Sequence, residues 1–183
     1  MKNISLIIIA LFLTFSYQVQ AQNSEKKLSR KERKELKNKE EEQTKKHISK
    51  LVESLHFVFE ANEIIDRTGK AYNADATINF VALDSNKMVF QLGSAMLIGI
   101  NGIGGITIEG TVTSSKTTKT EKNGYYYIVL KVSTTSGFYE IQMDISPMGF
   151  ATVKVTTSGY KKIVYKGNIV SFENSNIYQG TAY

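Results

Sequence analysis

Two histidines, seventeen carboxylates and no cysteine set the range of chemistry open to this 183-residue chain. Without cysteine there is no thiolate nucleophile and no disulfide framework. His47 lies in a run of charged residues, whereas His56 opens an alternating apolar segment and shares a strand face with Glu60. Two such groups are short of the three or four ligands that a zinc site needs. Asp66, Asp75, Asp84 and Asp144 fall in turns or on polar faces. Glycoside hydrolysis needs two carboxylates at a fixed separation, and nothing in the spacing selects a pair. Nucleophile-elbow, zincin and phosphate-loop runs are absent from the sequence. The glycines of Gly99 to Gly105 suggest a phosphate cradle, but that mechanism requires a helix to follow the loop. Here Ile106-Thr107-Ile108-Glu109 follows, which alternates as a strand does. No catalytic residue, metal site or cofactor is implied, and a non-enzymatic role is expected.

Binding candidates are better marked. Met96, Leu97, Ile98, Ile100 and Ile103 are many aliphatic residues for a glycine-rich connection. Such a lip either folds over the mouth of the domain or offers a patch to a ligand or partner. The competing reading is a flexible connection or bulged strand. Glu109, just beyond it, is the acidic candidate. Tyr125, Tyr127 and Phe138 stand opposite the inner faces of their strands. They form a surface contact if left uncovered, because aromatic rings give contact area at low entropy cost. The alternative is that the N-terminal helix or a neighbouring strand covers them.

The elements that must position these residues follow from periodicity. In YYYIVLKV the inward set is Tyr126, Ile128, Leu130 and Val132; in FYEIQMDI it is Tyr139, Ile141, Met143 and Ile145. Ala151, Val153 and Val155 continue it, followed by Ile163, Tyr165 and Ile169. Alternation of this kind marks a sheet with one buried and one wet face. Asn123-Gly124, Ser136-Gly137, Ser146-Pro147-Met148-Gly149 and Ser158-Gly159 supply the turns. Upstream, Phe57, Phe59 and Ala61 make a first strand, Thr77 to Phe80 the centre of a second, and Met88, Phe90 and Leu92 a third. Ile106, Ile108 and Val112 give the inner face of the next. The fold expected is all-β with one N-terminal helix: an antiparallel meander of 8–10 short strands closed into a barrel or sandwich.

Four segments are expected. Residues 1–21 read as a signal peptide, with Lys2, an apolar core from Ile4 to Phe15, and the small-residue ending Val19-Gln20-Ala21. Residues 22–55 are a charged helix, amphipathic only in its second half, where Ile48, Leu51, Val52 and Leu55 form a stripe. Residues 56–170 form the β domain, and 171–183 a tail with weak signals that is expected to fray. The net charge of +6 is concentrated early: residues 24–53 carry eleven Lys or Arg against seven Glu, and residues 54–183 carry eleven against ten acidic residues. A basic face on the fold is therefore not expected, nor a nucleic-acid partner.

The order of charged helix, HFVFEAN, INFVALDSNKMVFQLG, glycine-rich stretch, NGYYYIVLKV and FYEIQMDISPMGFATVKVTTSGYKKIVYKGNI resembles an uncharacterised family of exported bacterial proteins, domain of unknown function 4251. The resemblance covers roughly residues 40 to 170. It departs at SAMLIGINGIGG, where members carry a more aromatic, proline-bearing segment. It implies export and a β-rich domain, and transfers no functional residues. The combined expectation is an exported protein, periplasmic or secreted and soluble once the leader is removed. It would bind a small apolar or amphipathic ligand or, alternatively, serve as a structural or interaction component of the cell envelope.

Overall fold

The computed structural model describes residues 29–66, 68–93, 105–157 and 162–182. The element order is α1 (Arg30–Ser54), β1 (His56–Ile65), β2 (Ala71–Asn73), β3 (Phe80–Asp84), β4 (Lys87–Leu92), β5 (Ile106–Lys119), β6 (Tyr126–Thr134), β7 (Gly137–Ile145), β8 (Phe150–Thr157) and β9 (Lys162–Val170). A short 3-10 turn, Phe172–Asn174, follows. Neighbours in sequence pair antiparallel from β3 through β9, β1 pairs with β3, and β1 also pairs with β9. That last ladder, Val58 to Ile65 against Val170 to Val164, turns the sheet into an eight-stranded barrel, with β2 as an extra strand beside the end of β1. The barrel alternative expected from the sequence is the one realised.

Closure needs one close approach. At Gly167 the β9 backbone passes so near β1 that a Cβ would meet the Glu60 carbonyl oxygen at 1.9 Å. Only glycine fits there. The predicted inner faces of β6, β7 and β8 point inward as the alternation requires, with Ile128, Leu130, Val132, Ile141, Met143, Ile145 and Val153 fully buried. Phe57, Phe59, Leu83, Met88 and Tyr165 complete the filling. Eight strands enclose a space just wide enough for side chains to occupy.

The chain divides at Lys39/Glu40 into two units. In the first, Ser29 starts α1 with reciprocal bonds: the Glu32 carboxylate accepts from the Ser29 N–H (2.8 Å), and Ser29 Oγ accepts from the Glu32 N–H (3.3 Å). This is a capping box. In the second, Ile48, Leu51 and Val52 of α1 join the barrel core. Burying each aliphatic side chain contributes about 1.5–3 kcal/mol. Gly149, at φ +90° in the β7–β8 turn, leaves room for this helix, since a Cβ there would lie 2.9 Å from Ile48 Cδ1.

Three expectations are corrected. The strand anticipated around Thr77 begins only at Phe80, because Asp75 organises a turn ahead of it. Asp75 Oδ1 accepts from the Thr77 N–H (3.0 Å) and hydroxyl (2.7 Å), and its carbonyl accepts from the Asn79 N–H (3.0 Å). In β5, Ile106 is exposed at the rim while its outward neighbour Thr107 is buried. Thr107 is covered because of the third difference: residues 171–182, expected to carry weak signals, are packed on the barrel wall. Phe172 and Ile177 pack on a second apolar cluster, Val58, Phe80 and Ala82, outside the barrel. The Tyr178 N–H donates to the Thr77 carbonyl (2.8 Å), so the segment is strapped across the outer faces of β1, β3, β4 and β5.

Candidate functional site

Register fixes which outward side chains are neighbours. Asp144, Thr152, Lys166 and Glu63 are successive cross-strand partners on β7, β8, β9 and β1, and Tyr127 extends the row on β6 opposite Asp144. One step toward the helix-bearing end, Phe150 is the partner of Asn168. Tyr125 lies just ahead of β6, two residues from Tyr127 and so of the same strand parity. The pairing of β1 with β9 shifts by one between Ala61 and Glu63, which leaves Asn62 as an extra residue. Bulges of this kind re-aim side chains. Asn62, Glu63, Tyr125, Phe150, Lys166 and Asn168 border a groove of about 460 Å³ on the outside of the barrel.

Two aromatic side chains stand in water at this groove: Phe150 is 66% exposed and Tyr125 45% exposed. The charges are matched. Lys166 Nζ donates to Glu63 Oε1 at 2.8 Å, and Lys154 on the flank lies 3.6 Å from Asp144 Oδ2. Ser146, also in the lining, is buried, and its hydroxyl has no hydrogen-bond partner among the described residues. Unpaired buried hydroxyls are uncommon, since each forgoes its bonds to water.

A family model for a domain of unknown function, DUF4251, matches residues 39–169. The chain belongs to the DUF4251 family. A crystal structure of a DUF4251 family protein from Bacteroides eggerthii DSM 20697 superposes with a TM-score of 0.63 at 24% sequence identity, covering 76% of this chain and 95% of that one. That likeness shows the fold. No curated protein matches the chain.

The DUF4251 barrel separates the candidate residues. Met96, Leu97, Ile98, Ile100 and Ile103, like the segment Met1 to Ala21 expected to be a leader, lie outside the described residues. Glu109 is exposed on β5, where its carboxylate accepts from Gln179 Nε2 at 2.7 Å. It borders a different groove with Lys87, Thr111 and Ser133. Phe138 is exposed at the far end of β7, opposite Ser133, and borders a third groove with Lys131 and Thr156. Tyr125, Tyr127 and Phe138 are all exposed, but Phe138 stands apart from the two tyrosines. Phe150 was not singled out from sequence. Parity could have found it, since it precedes the inward Ala151 and must face out.

The remaining DUF4251 carboxylates near the first strand have structural partners. His56 Nδ1 lies 3.0 Å from Asp84 Oδ1, its cross-strand partner, and its ring packs against Phe172. Glu60 accepts from the Ser175 hydroxyl at 2.7 Å. Asp66 accepts from the Thr68 hydroxyl and from the Lys70 and Thr68 N–H groups. The Thr68 hydroxyl is the main influence holding the Asp66 carboxyl below its usual range. Among the described residues no group of three or more His, Asp or Glu is placed to hold a metal ion. Nor is any helix there long and apolar enough to cross a membrane.

Proposed function

We propose that this DUF4251 protein is an exported, non-enzymatic binding module of the bacterial cell envelope that works through the outside of its barrel. The observation that carries this reading is the Tyr125–Phe150 groove, set on a wall whose inner side is filled with Ile141, Met143, Ile145 and Val153. A filled interior supports contact on the outer face over a small apolar ligand held within the barrel. The Lys2-to-Ala21 leader supports export, and the lack of any cysteine after it argues against a lipid anchor at that point.

The test has two parts. Intact-mass measurement of protein recovered from its own cells is expected to show a chain beginning at Gln22. Sedimentation with isolated envelope is expected to retain the wild type and lose the Phe150→Ala variant. A chain still beginning at Met1, or retention indifferent to Phe150, would overturn the reading.

A further inference from the structure

We propose that the Tyr125–Phe150 groove is a site for a neutral oligosaccharide. The inference rests on the outer-face reading above and adds the chemical class of the partner. Three independent features of the groove point to sugar. First, Tyr125 and Phe150 present large exposed ring surfaces at its border, suited to the C–H faces of pyranose rings. Second, the groove carries no excess charge to attract an ion. Glu63 is held by Lys166 and Asp144 by Lys154, so the carboxylates present spare acceptor lone pairs rather than unmatched charge. Third, the polar lining is bifunctional: Asn62, Asn168 and Thr152 each contain both donor and acceptor atoms, as every sugar hydroxyl does. Ser146 adds a buried hydroxyl in the same lining that has no partner among the described residues. A lipid would find too many polar groups here, and a nucleic acid would find no net positive charge.

The groove volume of about 460 Å³ falls in the range of small-molecule sites. Shallow, water-exposed sites of this kind bind weakly per ring, so affinity would come from repeated units along a polymer.

The test uses the full chain, its Tyr125→Ala and Phe150→Ala variants, an array of neutral oligosaccharides, and polysaccharide extracted from the protein's own envelope. Both aromatic residues are exposed, so the variants are expected to melt with the wild type. Binding of a neutral glycan is expected, with amide shifts at Tyr125, Phe150 and Asn168. Each variant is expected to weaken it about tenfold, equivalent to about 1.4 kcal/mol. Periodate oxidation of the envelope, which cleaves vicinal diols, is expected to abolish Phe150-dependent retention. Retention that depends on Phe150 but survives periodate and is lost to protease would overturn the sugar assignment and leave the outer-face reading standing, with a protein partner. Binding to neither array nor extract would also overturn the assignment. Retention indifferent to both aromatic residues would remove both.

Discussion

Gln91 Oε1 accepts a 2.8 Å hydrogen bond from the Thr107 hydroxyl, and both side chains are completely buried although they point away from the barrel interior. The same oxygen accepts from the Gly180 N–H, and Gln91 Nε2 donates to the carbonyls of Tyr178 (2.8 Å) and Ile78 (3.2 Å). A single amide thus uses both donors and both lone pairs to bind the tail onto β4 and β5.

Gln91→Ala is expected to lower unfolding free energy by about 2–4 kcal/mol, because it removes four hydrogen bonds, one buried and three part-buried, and empties a fully buried position. Thr107→Val, which removes one of the four bonds, is expected to cost about 1 kcal/mol. Chemical denaturation checks both. Hydrogen exchange at Tyr178 and Gly180 is expected to accelerate in Gln91→Ala ahead of exchange in β6 or β7.

Tyr165 carries the reverse case. Its ring meets Phe90 edge-on at 5.8 Å, but its hydroxyl is buried with no partner among the described residues. Tyr165→Phe keeps the ring and removes the unpaired group, so it is expected to be neutral or stabilising by about 1–2 kcal/mol. Burial pushes the phenol's ionisation well above its ordinary value. With the folded-state value raised above the unfolded one, the neutral form's contribution is intact below about pH 10 and is lost as pH rises further. Denaturation series above that pH are expected to show a steeper loss in the wild type than in Tyr165→Phe.

Asp75 is one of the carboxylates that shape the acid limb. The Thr77 hydroxyl and then the Thr77 N–H hold its carboxyl below the ordinary range. A lowered folded-state value means its contribution is present above about pH 4 and declines as pH falls through the folded value. Asp75→Asn is expected to flatten that part of the stability profile by lowering the neutral plateau toward the acid value, because the neutral amide never supplies the carboxylate's contribution. Thermal melts between pH 2 and pH 7, taken as approximate limits around the ordinary aspartate value, check it.

Gly167→Ala is expected to destabilise by about 1–3 kcal/mol or more, the range for forced overpacking. The Glu60 carbonyl cannot move aside without opening the β1–β9 ladder. Loss of protection at the Glu60 and Asn168 amides, which alternation turns toward each other across β1 and β9, with β6–β7 amides retained, would locate the damage at that ladder.

Where one face of a strand meets core and the other meets water, residue type is decided position by position. Hence Tyr126 to Val132 and Ile141 to Ile145 were readable as inward from the sequence. The opposite face escaped wherever a second layer covers it. Val58, Phe80 and Ala82 are outward residues buried by Phe172 and Ile177, which lie far away along the chain. Gln91 and Thr107 read as ordinary wet-face residues until the tail is laid across them. Asp75 competed with β-propensity at Thr77-Ile78 and won, because its side chain satisfies the turn's N–H groups locally. Tyr125 and Tyr127 were legible as outward; that Phe150 joins Tyr125 at one groove depends on β6 and β8 flanking β7, which topology supplies and local pattern does not.

The seam between the first and last barrel strands has a kinetic corollary. Residues Val58 and Val170 must find each other before the ring is complete, so a growing polypeptide on the ribosome cannot finish it until Val170 has been synthesised. Until then the unfinished sheet keeps two open edges, each a template on which another chain could pair.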